Sequence, residues 1–313
     1  MTIALCTTSH SPLMGKNDPD PDVRAEVDQA LAAAREFVAA FDPELVVLFA
    51  PDHYNGFLYE VMPSFCVGAA ATSIGDYGTP AGPLHVDRDA AYAILGRCLA
   101  SGLDLALSED MRVDHGFVQP LTFLFDRIDA VPVVPLFLNC VAEPLGPAVR
   151  SRLLGGAVGE ALTAMGTRTL VIGSGGLSHD PPVPRLAEAP PAVAERLTHG
   201  RNPTPEQRAE RESGTVAAAA RFAAGTTDFR PLNPAWDTLV LDALAAGDFA
   251  AVDGHDADWF VREAGHSAHE VRTWIAAYAA LAQQGRFTVT SRYYRPIPEW
   301  FTGFAVTTAV EAQ

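Results

Sequence analysis

The 313 residues carry 38 acidic against 22 basic side chains, a formal net charge of −16, with 48% hydrophobic and 19% charged positions. That acidic balance argues against nucleic acid, whose phosphates demand a basic face. No apolar run approaches the ~18–20 residues of a membrane span. What is left is a globular composition, long enough for one large α/β domain or two moderate ones. The four cysteines (Cys6, Cys66, Cys98, Cys140) form no CxxC pair, which fits buried thiols in a reducing compartment. The opening Met1-Thr2-Ile3-Ala4 lacks the charged start and apolar core of a signal peptide, so a cytoplasmic location is expected.

Thr2–Cys6 reads as a strand that runs into Thr7-Thr8-Ser9-His10-Ser11-Pro12. Asp20 as N-cap with Pro21 at the first helical position opens a helix to about Phe41. Its Val23, Val27, Leu31, Ala34, Val38 and Phe41 recur at helical spacing. Leu45–Ala50 is six apolar residues stopped by Pro51, a buried strand whose carboxyl end carries Asp52-His53-Tyr54-Asn55-Gly56. Strand, helix, strand is the βαβ unit of a parallel or mixed sheet. Residues 57–85 are Gly-rich, with short strands expected at Phe57–Met62 and Ser64–Val67. Asp87 caps a helix to about Ser101. His115, between Asp114 and Gly116, reads as a loop residue ahead of an apolar helix.

Val133–Leu138 is a further strand, ending at Asn139-Cys140, and a helix around Gly146–Met165 follows. The strand Thr169–Ile172 then leads into Gly173-Ser174-Gly175-Gly176-Leu177-Ser178-His179. The prolines at 181, 182, 184, 190 and 191 exclude a regular element and place that tract on the surface. Residues 201–214 are strongly charged and read as a solvated loop and helix face. Helices are expected near Trp236–Ala246, Asp256–Ala264 and Ser267–Gln284, and the aromatic tail Arg292–Trp300 packs on the body. There is no internal repeat and no linker. The expectation is one domain over 1–313: α/β, with a mixed, mostly parallel central sheet flanked by helices and helical insertions in the C-terminal half.

Ligands of open α/β sheets bind beyond the carboxyl ends of the strands, and three of these strand ends carry a histidine. His10 or His53 alone would read as a satisfied core or loop imidazole. Together, on what should be neighbouring strands, they form a candidate metal pair that needs a third ligand. Two histidines and a carboxylate with open positions suit non-haem Fe(II). Glu270 offers the carboxylate, but Ser267 and Glu270 also spell a capping box, which would give it a purely local role. His266 and His269 are rival ligands. The glycines before His179 let backbone approach a ligand, and imidazoles titrating near neutrality, His115 and His179, can serve as acid and base. No G-x-S-x-G elbow is present. A Zn-dependent hydrolase on the same His/His/Glu set and a non-catalytic binding protein are the alternatives.

Five segments together resemble the class III extradiol ring-cleaving dioxygenases, the superfamily of the protocatechuate 4,5-dioxygenase catalytic subunit. They are Ser9-His10-Ser11-Pro12, Pro51-Asp52-His53-Tyr54-Asn55, Asp114-His115-Gly116, the Gly173–His179 run and His269-Glu270. The similarity extends from the first strand to Tyr294-Arg295-Pro296-Ile297-Pro298-Glu299-Trp300. It implies Fe(II) held by His10, His53 and Glu270, His179 as proton acceptor and His115 as proton donor. It further implies a small-molecule catechol and O2 as substrates, and a homo-oligomer, tetramer or larger. For an acidic ring substituent, Arg292 and Arg295 are the basic candidates in the tail, against a plain surface role.

Overall fold

The computed structural model describes residues 2–312. The chain runs β1 (Ile3–Thr8), α1 (Pro21–Phe41) and β2 (Leu45–Ala50), then the short strands β3 (Phe65–Gly68), β4 (Ala71–Ile74) and β5 (Ala81–Pro83). Next come α2 (Arg88–Ala100), β6 (Ala106–Ser108), β7 (Met111–Val113), α3 (His115–Phe125) and β8 (Val133–Leu138). Then follow α4 (Val149–Met165), β9 (Thr169–Ser174), α5 (Pro191–His199), α6 (Pro205–Ala223), α7 (Pro234–Ala246), α8 (Ala250–Asp253) and α9 (Ala257–Ala264). The chain closes with α10 (Val271–Ala282), β10 (Phe287–Ile297) and β11 (Thr302–Glu311).

Eight strands form one sheet in the order β10-β11-β1-β9-β2-β8-β3-β6, and β5-β4-β7 form a second, small one. β1, β9, β2 and β8 are mutually parallel neighbours. β10 and β11 add an antiparallel hairpin beside β1, and β3 runs antiparallel to β8. The sheet is therefore mixed and mostly parallel, as expected. The four central strands are buried along their whole length, because helices cover both faces. Alternation divides their side chains: Ile3, Leu5, Val47, Phe49 and Val171 enter one core, and Ala4, Cys6, Val46, Leu48 and Ile172 the other. α4 and α10 belong to the first core, α1 and α3 to the second.

α10 lies unusually close to α4. A Cβ at Gly155 would stand 2.1 Å from the Ala276 carbonyl oxygen, so only glycine permits this crossing. Nearer its N-terminal end α10 is seated as closely on β9, where a Cβ at Gly173 would stand 3.0 Å from the Thr273 carbonyl oxygen. Among the described residues, no helix is long and apolar enough to cross a membrane.

Four expectations change. Phe57–Met62 forms only an isolated bridge, Leu58 to Val61; its polar and aromatic residues find no neighbouring strand. His115 is the first residue of α3 rather than a loop residue, because Asp114 caps the helix by accepting from the Gly116 N–H at 3.0 Å. The aromatic tail does pack on the body, with Ile297 and Trp300 buried, but residues 292–297 do so as part of a strand, β10, that pairs with β11. Finally, β1 and β2 are not neighbours, since β9 runs between them.

Candidate metal centre and its acid–base pair

The parallel strands β1, β9 and β2 end side by side, and each leads into a loop that carries a histidine: His10, His179 and His53. His115 opens α3, and Glu270 ends the short 3-10 turn His266–Glu270 that runs into α10. The five side chains line one cavity of about 360 Å³. Four of them are nearly inaccessible: Glu270 is 1% exposed, His115 3%, His10 5% and His179 8%.

Each imidazole is anchored through Nδ1 to a different acceptor. Ser174 Oγ donates its own proton to the Gly116 carbonyl at 2.6 Å, so it accepts from His10 Nδ1 at 3.0 Å. Asp114 Oδ2 accepts from His53 Nδ1 at 3.0 Å, the Leu177 carbonyl from His179 Nδ1 at 3.0 Å, and Asp76 Oδ2 from His115 Nδ1 at 2.5 Å. All four rings are left with Nε2 for work in the cavity. Partners of this kind fix tautomer and ring orientation in metal-ligating histidines.

Three of those Nε2 atoms gather on Glu270. His53 Nε2 and His179 Nε2 each lie 3.2 Å from Oε1, and His10 Nε2 lies 3.6 Å from Oε2. Oε2 also accepts from the Gly176 N–H at 2.8 Å. Gly175 permits this approach, because a Cβ there would come within 2.8 Å of the Glu270 carbonyl oxygen. Burial by itself would raise the Glu270 carboxyl, but the imidazoles of His179 and His10 hold it well below its usual range. Burial drives His10 down to about 3, with Glu270 opposing it. Burial also opposes charge on His53, yet Asp114 and Glu270 overcome it and raise that imidazole well above its ordinary value. The same contest, with Glu270 the main opponent of burial, raises His179.

The donor set fits a divalent metal. His10, His53 and His115 offer ligand atoms that all lie within 4.8 Å of one another, and Glu270 adds a carboxylate against two of those rings. A His/His/carboxylate face contributes one negative charge, whereas three imidazoles would leave the full charge of a dication buried. His115 Nδ1 is already committed to Asp76, and its ring stacks on that of His53 at 4.4 Å between centroids.

The two rival ligands point elsewhere. His266 is held between Asp180 at 2.9 Å and Arg185 at 2.8 Å. His269 packs on Phe260 and accepts from Arg272 Nε at 3.3 Å. The capping box between Ser267 and Glu270 does not form: the turn is headed by Gly265 with no side-chain cap, and the Glu270 carboxylate faces the imidazoles.

Several functional neighbours were not singled out from the sequence. Asp114 holds both the His53 backbone N–H (2.8 Å) and its ring, while Asp76 holds both the His115 N–H (2.9 Å) and its ring. Asp52 shapes the loop after β2 by accepting from the N–H groups of Asn55, Gly56 and Phe57. Burial, with Asp114 nearby, pushes its carboxyl up to about 7. Tyr54 and Tyr77, which directly follow His53 and Asp76, adopt left-handed backbone at φ 58° and 50°. Non-glycine residues seldom do so outside constrained sites. The one available signal for Asp76 was its place in the turn Gly75-Asp76-Tyr77-Gly78.

A parallel-sheet crevice with two histidines, a carboxylate and two more imidazoles defines a metal-dependent enzyme site. The chain belongs to the family described as the catalytic LigB subunit of aromatic ring-opening dioxygenase, which it matches over residues 4–305. It is 59% identical over 310 residues to a Rhodococcus sp. protein named 2,3-dihydroxyphenylpropionate/2,3-dihydroxicinnamic acid 1,2-dioxygenase, covering 99% of each chain. Proteins of the same name from Rhodococcus jostii (58%, 99% of each chain) and Burkholderia vietnamiensis (55%, 99% of this chain and 98% of the other) are similar over the same extent. In fold, the chain resembles the crystal structure of an uncharacterized protein from Escherichia coli K12. That match has a TM-score of 0.54 and 13% identity, covering 97% of this chain and 98% of the other.

Proposed function

We propose that this protein cleaves the ring of 3-(2,3-dihydroxyphenyl)propionate, and of 2,3-dihydroxycinnamate, with O2 by the extradiol route. The phenylpropionate product is 2-hydroxy-6-oxonona-2,4-diene-1,9-dioate, formed by incorporating both oxygen atoms. The metal is Fe(II), held by Nε2 of His10, Nε2 of His53 and the Glu270 carboxylate. Bound there, Fe(II) supplies a template for catechol and O2 and a path for electrons between them.

The chain's own groups handle the protons. With Nδ1 of His179 tied to the Leu177 carbonyl and Glu270 engaged by the metal, its Nε2 would be free to accept a proton from a catechol hydroxyl. An imidazolium at His115 keeps both N–H groups in use: Nδ1 on Asp76, and Nε2 towards the cavity, where it donates to oxygen derived from O2. Leu13, Trp300 and Phe301 line the same cavity and give it an apolar wall against which an aromatic ring can pack.

The observation that carries this reading is the common geometry of four imidazoles, each anchored at Nδ1, around one buried carboxylate. Membership of a ring-opening dioxygenase family supports this reading over a zinc hydrolase. We further propose that the chain acts as one catalytic domain in a homo-oligomer, in the cytoplasm. The test is anaerobic reconstitution with Fe(II), then a panel of substituted catechols read by oxygen uptake and yellow product. Activity of the Zn(II) form without iron would overturn the metal assignment.

A further inference from the structure

The cavity has a cationic end that the acid–base chemistry does not use. Residues 201–214, which include the first half of α6, were expected to be a solvated loop and helix face, yet Arg208, Arg211, Glu212 and Thr215 line the cavity, a spacing of three, four and seven residues that places them on one helical stripe. Tyr77 connects this stripe to the imidazoles. Its ring meets His115 edge-on at 5.3 Å between centroids, and it lies within interaction range of Thr215 and Arg211.

The neighbouring charges are accounted for. Arg208 Nη1 donates to the Ile74 carbonyl at 2.7 Å, and Glu212 accepts from the Tyr77 N–H at 2.8 Å. Arg201 pairs with Glu60, and Arg185 with Glu143 and Glu188. Among the described residues, neither Arg211 nor Arg196 of α5 has a carboxylate ion-pair partner, and the Nε of Arg211 is buried without any hydrogen-bond partner. Burial and the adjacent Arg196 and Arg208 all disfavour charge on Arg211, with Tyr77 and Glu212 opposing them more weakly. An anionic ligand group would relieve that imbalance. Arg196 and Arg211 also line an outer hollow together with Arg201 and His199, where Glu195 and Glu210 are the acidic members. The two arginines thus form a wall shared by the cavity and the surface, a local positive path on a protein of net charge −16.

We infer that Arg211, with Arg196 beside it, receives the carboxylate of the substrate's three-carbon side chain and thereby sets a preference for acidic catechols. This rests on the ring-cleaving reading above and assigns one more group of the same site. Arg292 and Arg295 have no part in it, since they pair with Asp242 and Glu26 outside the cavity.

The test uses the Fe(II)-loaded enzyme and the ratio of kcat/KM for 3-(2,3-dihydroxyphenyl)propionate to that for uncharged 3-propylcatechol. Arg211→Gln should lower this ratio by roughly 10–100-fold, the scale of one charge-assisted hydrogen-bonded pair, and act through KM for the acid. Arg211→Lys should recover part of it, and Arg196→Gln should change it in the same direction. Arg292→Gln should leave the ratio at the wild-type value. Equal losses on both substrates, or an unchanged ratio in both cavity variants, would overturn the assignment while ring cleavage stands. No oxygen uptake by the wild-type enzyme on any catechol would overturn both readings.

Discussion

His53 and Asp114 are joined twice: one carboxylate oxygen, Oδ2, accepts from the backbone N–H of His53 at 2.8 Å and from its ring Nδ1 at 3.0 Å. The same aspartate caps α3 through Oδ1. Asp114→Asn separates the two roles, because Asn caps helices about as well as Asp but cannot supply the charge behind the imidazole. The expected result is a helix and a thermal midpoint near wild type, with metal affinity lowered by about 10–100-fold. Metal titration alongside thermal denaturation checks it, and a fold that collapses with no separable metal effect would contradict it.

Glu270 and His269 are adjacent in sequence but face different surroundings. Glu270→Gln should lose metal and turnover while the metal-free protein keeps its fold, since no cap is broken. His269→Ala should keep the metal yet lower stability by about 1–3 kcal/mol, because it leaves a gap against Phe260 and removes an acceptor from Arg272. Metal content and melting curves of the purified variants decide the matter, and the reverse pattern would overturn the ligand set.

The proposed acid and base can be tested apart from the proposed ligands. His115→Gln and His179→Gln should retain Fe(II) and lower kcat by roughly 10²–10⁴-fold. Asp76→Asn should lower kcat in the same direction by a smaller factor with KM little changed, since it touches His115 and no ligand. Loss of iron in either histidine variant would mean that ligand and proton-transfer roles have been exchanged.

Metal loading should release protons. In the metal-free protein His53 is raised well above its ordinary value by Asp114 and Glu270, against burial, so near neutral pH it carries a proton that the metal must displace. A raised imidazole stabilises the metal-free fold fully below its unfolded value of about 6.5, and that contribution is lost as pH rises through the folded value. Both effects have one sign: apparent metal affinity climbs with pH, by up to about tenfold per unit for each proton released. Calorimetric titration in buffers of different ionisation enthalpy would count the protons. Affinity independent of pH between about 6 and 8 would refute the linkage.

The central strands and the histidines at their ends were legible because β1, β2, β8 and β9 are continuous apolar runs stopped by polar or glycine-rich segments. Their order was not. Nothing local to residues 1–53 announces that β9, made from 169–174, inserts between β1 and β2. β10 escaped notice because its Arg and Tyr side chains lie on a mostly exposed edge strand, with no buried run to mark it. The stripe on α6 was hidden for a related reason. Arg208, Arg211 and Glu212 have the composition of a solvated face, and only the packing of α6 over the cavity turns that face inward.

The pairing of β1 with β11 also bears on when the site can exist. Ser9 N–H donates to the Ala305 carbonyl, and Thr7 and Thr307 share a hydroxyl hydrogen bond across 300 residues of chain. A ribosome adds roughly 5–20 residues per second, so the strand bearing His10 emerges on the order of 15–60 s before the one that flanks it. Glu270 also arrives late in that interval. A nascent chain therefore offers a metal ion loose imidazoles and little geometric selection. The five side chains of the candidate centre can meet only once nearly the whole chain has been made.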